Sequence, residues 1–198
     1  MPASSSVAGH DLIGWTRQVT RRGRASEASL VRAAQQGSER AVEELFARHW
    51  GPAYRAAFLV TGDRAAAEDI AQEAFLAALR ALPRFDSRRP LRPWLHRIVV
   101  NRAIDWSRSR ALRNEVGGDA AGEEAAADPG DRSALGHGVV AALMRLSVEQ
   151  RAVVVMRFLL ELTPGEIAEA LDLPRGTVNW RLRRGLDALG ELVGGDPR

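Results

Sequence analysis

Apolar residues recur at three- and four-residue steps over residues 27–112 and again over 135–193. That spacing lines them up on one side of an α-helix. The clearest stripe is Ala67, Ile70, Ala71, Ala74, Phe75, Ala78 and Leu82, with Asp63 at the cap position and Pro83 as the stop; it predicts a helix from Arg64 to Leu82. Upstream, Leu30, Ala33 and Ala34 predict a short helix ending near Gly37. Ser38 then caps a longer one whose apolar positions, Ala41, Leu45, Tyr54, Phe58 and Leu59, reach Thr61-Gly62. After an arginine-rich loop, Pro93 opens a helix through Trp94, Leu95, Ile98, Val99, Ile104 and Trp106.

The second periodic region has its own start signals. Ser147-Val-Glu-Gln150 and Thr163-Pro-Gly-Glu166 both have the form of a capping box, the second with proline at the first helical position. A short helix from Glu166 to Leu171 stops at Asp172-Leu-Pro174, and a final helix runs from about Arg175 to Leu192. No stretch alternates with period two beside hairpin turn signals. The expected fold is all-α: two small helical bundles, 27–112 and 135–193, each long enough for its own core. A mobile arm (1–26) precedes them, and a flexible Gly/Ala/acidic linker (113–134) joins them.

Charge sharpens this division. The net charge is +3, and all 28 basic residues are arginine. Residues 80–113 hold ten arginines against Asp86 and Asp105, whereas 114–131 hold six carboxylates and no base. Arginine gathered in this way suits a phosphate-bearing partner, with solvated surface as the competing explanation. Cysteine is absent, which excludes disulfides and thiolate chemistry. His10, His49, His96 and His137 show no pair at ligand spacing, so neither a metal nor another cofactor is expected. No signal-peptide core and no apolar run of roughly 18 residues occurs, so a cytoplasmic protein without direct membrane insertion is expected.

The most specific pattern lies at the end. A short helix, a tight turn and a helix with Val178, Leu182, Leu186 and Leu189 expected inward form a helix-turn-helix. Its outer face carries Arg175, Asn179, Trp180, Arg183 and Arg184, a set that can enter a major groove. An ordinary amphipathic helix with a basic face is the alternative, but no acid falls between Arg175 and Arg184.

These residues carry a family resemblance. Leu-Thr-Pro-Gly-Glu-Ile-Ala-Glu-Ala-Leu followed by Leu-Pro-x-Gly-Thr-Val, with Gly-Thr-Val-Asn-Trp-Arg-Leu-Arg-Arg-Gly at 176–185, resembles domain 4 of extracytoplasmic-function sigma factors. Independently, Gly62-Asp-Arg-Ala-Ala-Ala-Glu-Asp-Ile-Ala-Gln-Glu-Ala-Phe75 and Trp94-Leu-x-Arg-Ile…Asn101-Arg-Ala-Ile-Asp105 resemble domain 2 of that family. The similarity spans roughly 28–111 and 138–192. It departs at Trp180, where the family usually has a small polar residue, at Gly185, a usual alanine, and at Leu91-Arg-Pro93. Gly185 should weaken its helix turn by roughly 0.5–1 kcal/mol.

The resemblance implies partners and roles. Asp69, Gln72, Glu73 and Leu76, spaced on one helix face opposite the Ala/Ile stripe, would dock on the β′ clamp helices of RNA polymerase core, whose β subunit is also a partner. Paired carboxylates also suit general acid–base work, but no nucleophile, metal ligand or phosphate-cradling loop accompanies them, so no enzyme activity is expected. Phe85, Arg88 and Arg89 in the loop, with Asn101, Arg102, Asp105 and Arg108 on the next helix, would capture the opened −10 element. Aromatic and arginine side chains together suit unstacked bases, although Trp94 and Trp106 serve equally well as core. Arg175, Thr177, Asn179, Trp180, Arg183 and Arg184 would bind the −35 element, with Arg175 and Thr177 placed for phosphate and Arg181 paired with Glu166. Promoter DNA and an anti-sigma factor complete the expected partners. The competing reading is a helix-turn-helix regulator that acts without polymerase.

In the resembled family the linker threads toward the RNA path, so its six carboxylates can mimic nascent RNA. Neutralising Glu115, Asp119, Glu123, Glu124, Asp128 and Asp131 to Asn/Gln is expected to alter initiation or early release more than promoter affinity. Unchanged transcription in a reconstituted assay would leave the charge a solubilising feature.

Overall fold

The computed structural model describes residues 26–117 and 134–194; the arm and most of the acidic linker lie outside them. Among the described residues the chain forms eight α-helices and one 3₁₀ turn, with no strand. The helices are α1 (Glu27–Gln35), α2 (Glu39–Thr61), α3 (Arg64–Ala81), α4 (Leu91–Gly117), α5 (Ala134–Met144), α6 (Val148–Phe158), α7 (Pro164–Leu171) and α8 (Arg175–Gly194), with the 3₁₀ turn at Leu82–Arg84.

The caps sit where short polar residues precede apolar stripes. Ser38 Oγ accepts from the Ala41 amide (3.4 Å) and Asp63 Oδ1 from the Ala66 amide (3.0 Å). Both capping boxes close: Ser147 with Gln150, and Thr163 with Glu166. Each satisfies amides that the helix leaves unpaired, for about 1 kcal/mol. Helix α4 departs from expectation at both ends. It starts at Leu91, so that Pro93 falls in the first turn, where its missing N–H is not needed. It then runs to Gly117, past the expected boundary at 112.

The cores also differ from expectation. Phe58, Val60, Val99 and Val100 of the first bundle belong to the same buried cluster as Val153, Met156, Leu160 and Ile167 of the second. The reason is that α2 and α4 carry apolar residues on more than one side. Facing their own bundle, they still have surface left to bury against α5, α6 and α7. Gly62 marks one close approach. Its left-handed backbone (φ 71°) ends α2, and a Cβ there would collide with the sulfur of Met144. A smaller cluster, Leu30, Val31, Ala41, Leu45, Leu82 and Leu91, seats α1 on the first bundle.

Within this core His96 is fully buried, with neither ring nitrogen hydrogen-bonded to the protein. Burial, reinforced by the charge of Arg92, lowers its pKa from 6.5 to about 3. His49 is shifted downward too, chiefly by burial, against the opposing pull of Glu27, whose Oε1 lies 3.0 Å from its Nε2. The folded state thus keeps His96 neutral while the unfolded chain takes up a proton. Stability is complete above pH 6.5 and falls as pH drops toward 3, by about 1.4 kcal/mol per pH unit from this one group. We expect His96→Phe, which removes two unsatisfied nitrogens, to flatten the acid limb of stability without loss at pH 7. Urea unfolding at pH 7 and pH 5 measures it, and an unchanged slope would contradict the assignment.

Candidate polymerase and promoter interfaces

Helix α3 turns Ala66, Ala67, Ile70, Ala71, Ala74, Phe75 and Ala78 inward, which leaves Asp69, Gln72, Glu73 and Leu76 exposed along one face, as their spacing predicted. Gln72 Nε2 donates to Glu68 Oε1 (3.4 Å). Glu73 is not free: Arg102 of α4 donates to its Oε2 at 2.7 Å. The acidic face on α3 and the arginine-rich face on α4 therefore meet at one ion pair.

The loop between the 3₁₀ turn and α4 is tied at several points. Within it, the Asp86 carboxylate accepts from the Arg88 amide (3.0 Å) and from Arg88 Nε (2.9 Å). The hydrogen bond from the Arg88 side chain, followed by that from its amide, lowers the Asp86 carboxyl to about 2. Arg88 is thus folded back onto its own loop, whereas Arg89 extends outward. Phe85 is half-buried against Trp94, with ring centroids 4.7 Å apart, and Trp94 packs on both apolar clusters. Helix α1 holds the loop from outside. Gln35 Nε2 donates to the carbonyls of Leu82 (2.9 Å) and Phe85 (2.7 Å), and Glu27 Oε2 accepts from the Leu91 amide (3.0 Å). Sequence reasoning missed both α1 residues, because nothing local links them to groups 47 to 64 residues away.

On α4, Asp105 and Arg108 are exposed, whereas Asn101 and Arg102 are half-buried. The cause is the second bundle, together with Glu73. Asn101 Nδ2 donates to the Ala170 carbonyl (3.4 Å), and Arg108 donates to Glu149 Oε1 from Nη2 (2.8 Å) and Nε (3.0 Å). Arg89 reaches Glu169 (2.6 Å) and Arg92 reaches Glu161 (3.4 Å). Burial is the largest single influence on the Glu149 carboxylate and works against it, but the Arg108 hydrogen bond, its own backbone and the charges of Arg108 and Arg181 together outweigh burial, so its pKa is lowered. Pairs this exposed contribute about 0–1 kcal/mol each and weaken with salt. Trp106, half-buried, lies under the Arg110 guanidinium at 5.2 Å, and Arg110 also pairs with the α3 cap Asp63 (2.8 Å).

The helix-turn-helix forms from α7, a turn with Asp172 in the left-handed region (φ 52°), and α8. Val178 and Leu182 are buried. Leu186 is 44 % exposed, which corrects its inward placement; Gly185 takes the buried position instead, where a Cβ would lie 3.0 Å from Val154 Cγ2. The residue that costs helix propensity thus lets α8 approach α6. Arg175, Asn179, Trp180, Arg183 and Arg184 all face solvent, Trp180 at 58 % exposure, and Thr177 is half-buried. Arg181 does not serve Glu166. That carboxylate accepts from Thr163 N and Oγ, both at 2.8 Å, which lowers its pKa, while Arg181 acts on Glu149.

Among the described residues no group of His, Asp or Glu is arranged to hold a metal, and no helix is long and apolar enough to cross a membrane.

Two stretches match known families: residues 45–113 match Sigma-70 region 2, and 138–189 match Sigma-70, region 4. The chain is 30% identical over 172 residues to the ECF RNA polymerase sigma factor SigW of Bacillus subtilis, covering 80% of this chain and 92% of that protein. It is 35% identical to the ECF RNA polymerase sigma factor SigM of Mycobacterium tuberculosis, covering 85% of each. Among solved structures it resembles CnrH in complex with the cytosolic domain of CnrY, with a TM-score of 0.65 and 29% identity over 86% of this chain and 98% of that one. An acidic helix face, an arginine-rich loop and helix, and a helix-turn-helix thus stand in the order of two sigma regions, and the chain belongs to the ECF RNA polymerase sigma factors, which direct RNA polymerase to promoters.

Proposed function

We propose that residues 27–112 act as sigma domain 2 and 135–193 as sigma domain 4, with the linker 113–134 spanning between them. Asp69, Gln72, Glu73 and Leu76 bind the β′ clamp helices of core polymerase. Phe85, Arg88, Arg89, Asn101, Arg102, Asp105 and Arg108 take the opened −10 element. Arg175, Thr177, Asn179, Trp180, Arg183 and Arg184 take the −35 element. The protein acts in the cytoplasm without chemistry of its own, and an anti-sigma factor restrains it; the likeness to CnrH bound to CnrY supports that partner.

The observation that carries this reading is the separation of charge between two exposed helix faces. The α3 face presents Asp69 and Glu73, which phosphate repels. The α8 face presents Arg175, Arg183 and Arg184 with Asn179, donors matched to phosphate and to base edges. A regulator that worked without polymerase would have no use for the first face.

Asp69→Arg with Glu73→Arg is expected to abolish core binding while the helical circular dichroism stays intact. Because Glu73 pairs with Arg102, Asp69→Arg alone separates loss of docking from loss of that pair, and unchanged core affinity in both variants would sink the docking role.

On α8, Arg184→Ala is expected to cost about 1–3 kcal/mol and to relax preference at particular upstream base pairs. Arg175→Ala should weaken all sequences alike and reduce the salt slope by about one unit. Holoenzyme selections on a randomised −35 element at two salt concentrations separate them; an unchanged selected sequence for Arg184→Ala would remove its base-reading role.

A further inference from the structure

Helix α1 lies outside the matched regions that begin at residue 45, yet it grips both ends of the arginine-rich loop. The two Gln35 acceptors are backbone carbonyls, so the amide nitrogen must face them, and one side chain ties Leu82 to Phe85. At the other end Glu27 caps the first amide of α4 from a distance, through the Leu91 N–H. The half-buried Gln35 carboxamide and the seating of α1 on Leu82 and Leu91 hold these contacts in one geometry.

We propose that Gln35 and Glu27 are positioning residues for promoter opening: they fix the Phe85–Arg89 loop in the conformation that captures a flipped −10 base. This rests on the assignment of that loop to the −10 element. A loop clamped before binding loses less conformational entropy when the base arrives, so the clamp raises opening and selectivity together.

The test is Gln35→Glu, which keeps the shape but loses both donors and sets a carboxylate against two carbonyls. Holoenzyme carrying it is expected to open promoters about tenfold less well, the scale of two lost hydrogen bonds. It should also show a flattened preference in a randomised −10 selection, with core affinity and −35 preference unchanged. Gln35→Lys, which restores a donor, should recover part of the selectivity. A lower melting temperature with intact −10 preference would overturn the proposal. Phe85→Ala and Arg89→Ala serve as the separate check: if neither alters −10 selection, the loop assignment itself has failed.

A different observation carries a second inference. Arg89, Arg92, Asn101 and Arg108, all on the loop and α4, are each met by a carboxylate or carbonyl of the second bundle, from Glu169, Glu161, Ala170 and Glu149. We infer that Glu149, Glu161 and Glu169 act as an internal competitor for the single-stranded-DNA surface. In the free protein Glu169 and Glu149 stand against Arg89 and Arg108, two of the arginines assigned to the −10 strand, while the Arg92–Glu161 pair lies on the same seam outside that set, so the two bundles part before the −10 strand binds. This also rests on the −10 assignment.

The absence of cysteine makes the closed form addressable. In the full chain, Arg92→Cys with Glu161→Cys is expected to cross-link intramolecularly with a short bismaleimide. The cross-linked protein should lose promoter opening with core, and the untreated double variant should keep it. Glu149→Gln, Glu161→Gln and Glu169→Gln together should tighten binding of the free protein to a labelled single-stranded promoter oligonucleotide by about tenfold, the sum of three weak exposed pairs. Failure to cross-link, full activity when cross-linked, or unchanged oligonucleotide affinity would each overturn the inference. Failure of wild-type protein to program core polymerase would instead indict the assigned function.

Discussion

Burial of apolar surface on more than one side of α4 is the constraint on which the arrangement depends. Leu95, Val99, Val100, Ala103 and Ile104 are all buried, too wide a band for one neighbouring helix to cover. Helices α2 and α3 take part of it, and α6 and α7 approach from the other side. At roughly 25 cal/mol per Å² of apolar area removed from water, this seam outweighs the exposed ion pairs around it. The polar contacts between the bundles therefore select how α4 is covered rather than supply the force that covers it.

That coverage has a functional consequence, because the helix carrying the seam also carries the arginines. Residues facing inward along α4 anchor it, while Arg102 and Arg108 on the flanks reach the acidic face of α3 and the second bundle. One helix thereby joins three surfaces: the acidic face of α3 through Glu73, its own arginine-bearing face, and the helix-turn-helix unit through α6 and α7.

The helix-turn-helix shows how a local cost serves a tertiary fit. Gly185 is a poor helix former in a helix interior, and Leu186 beside it is exposed. Both follow from the close approach of α8 to Val154 and Gln150 on α6. Periodicity placed the leucine inward because the four-residue spacing from Val178 and Leu182 continued to it; the contact surface of α6 drew the boundary one residue earlier.

The sequence by itself determined the elements and the identity of the exposed faces. Short-range rules suffice for these, because a cap, a proline stop or a three-to-four-residue stripe acts within one or two helical turns. Ser38, Asp63, Ser147 and Thr163 were legible as caps, and the α3 and α8 faces as exposed sets. Only the tertiary structure decided which of those residues meet one another. That the bundles share a core, that Gln35 and Glu27 clamp a loop far along the chain, and that Arg89, Asn101 and Arg108 face the second bundle all depend on how helices pack. Packing is set by the fit of whole surfaces brought together from distant parts of the chain, and the spacing of residues along it carries no record of that fit.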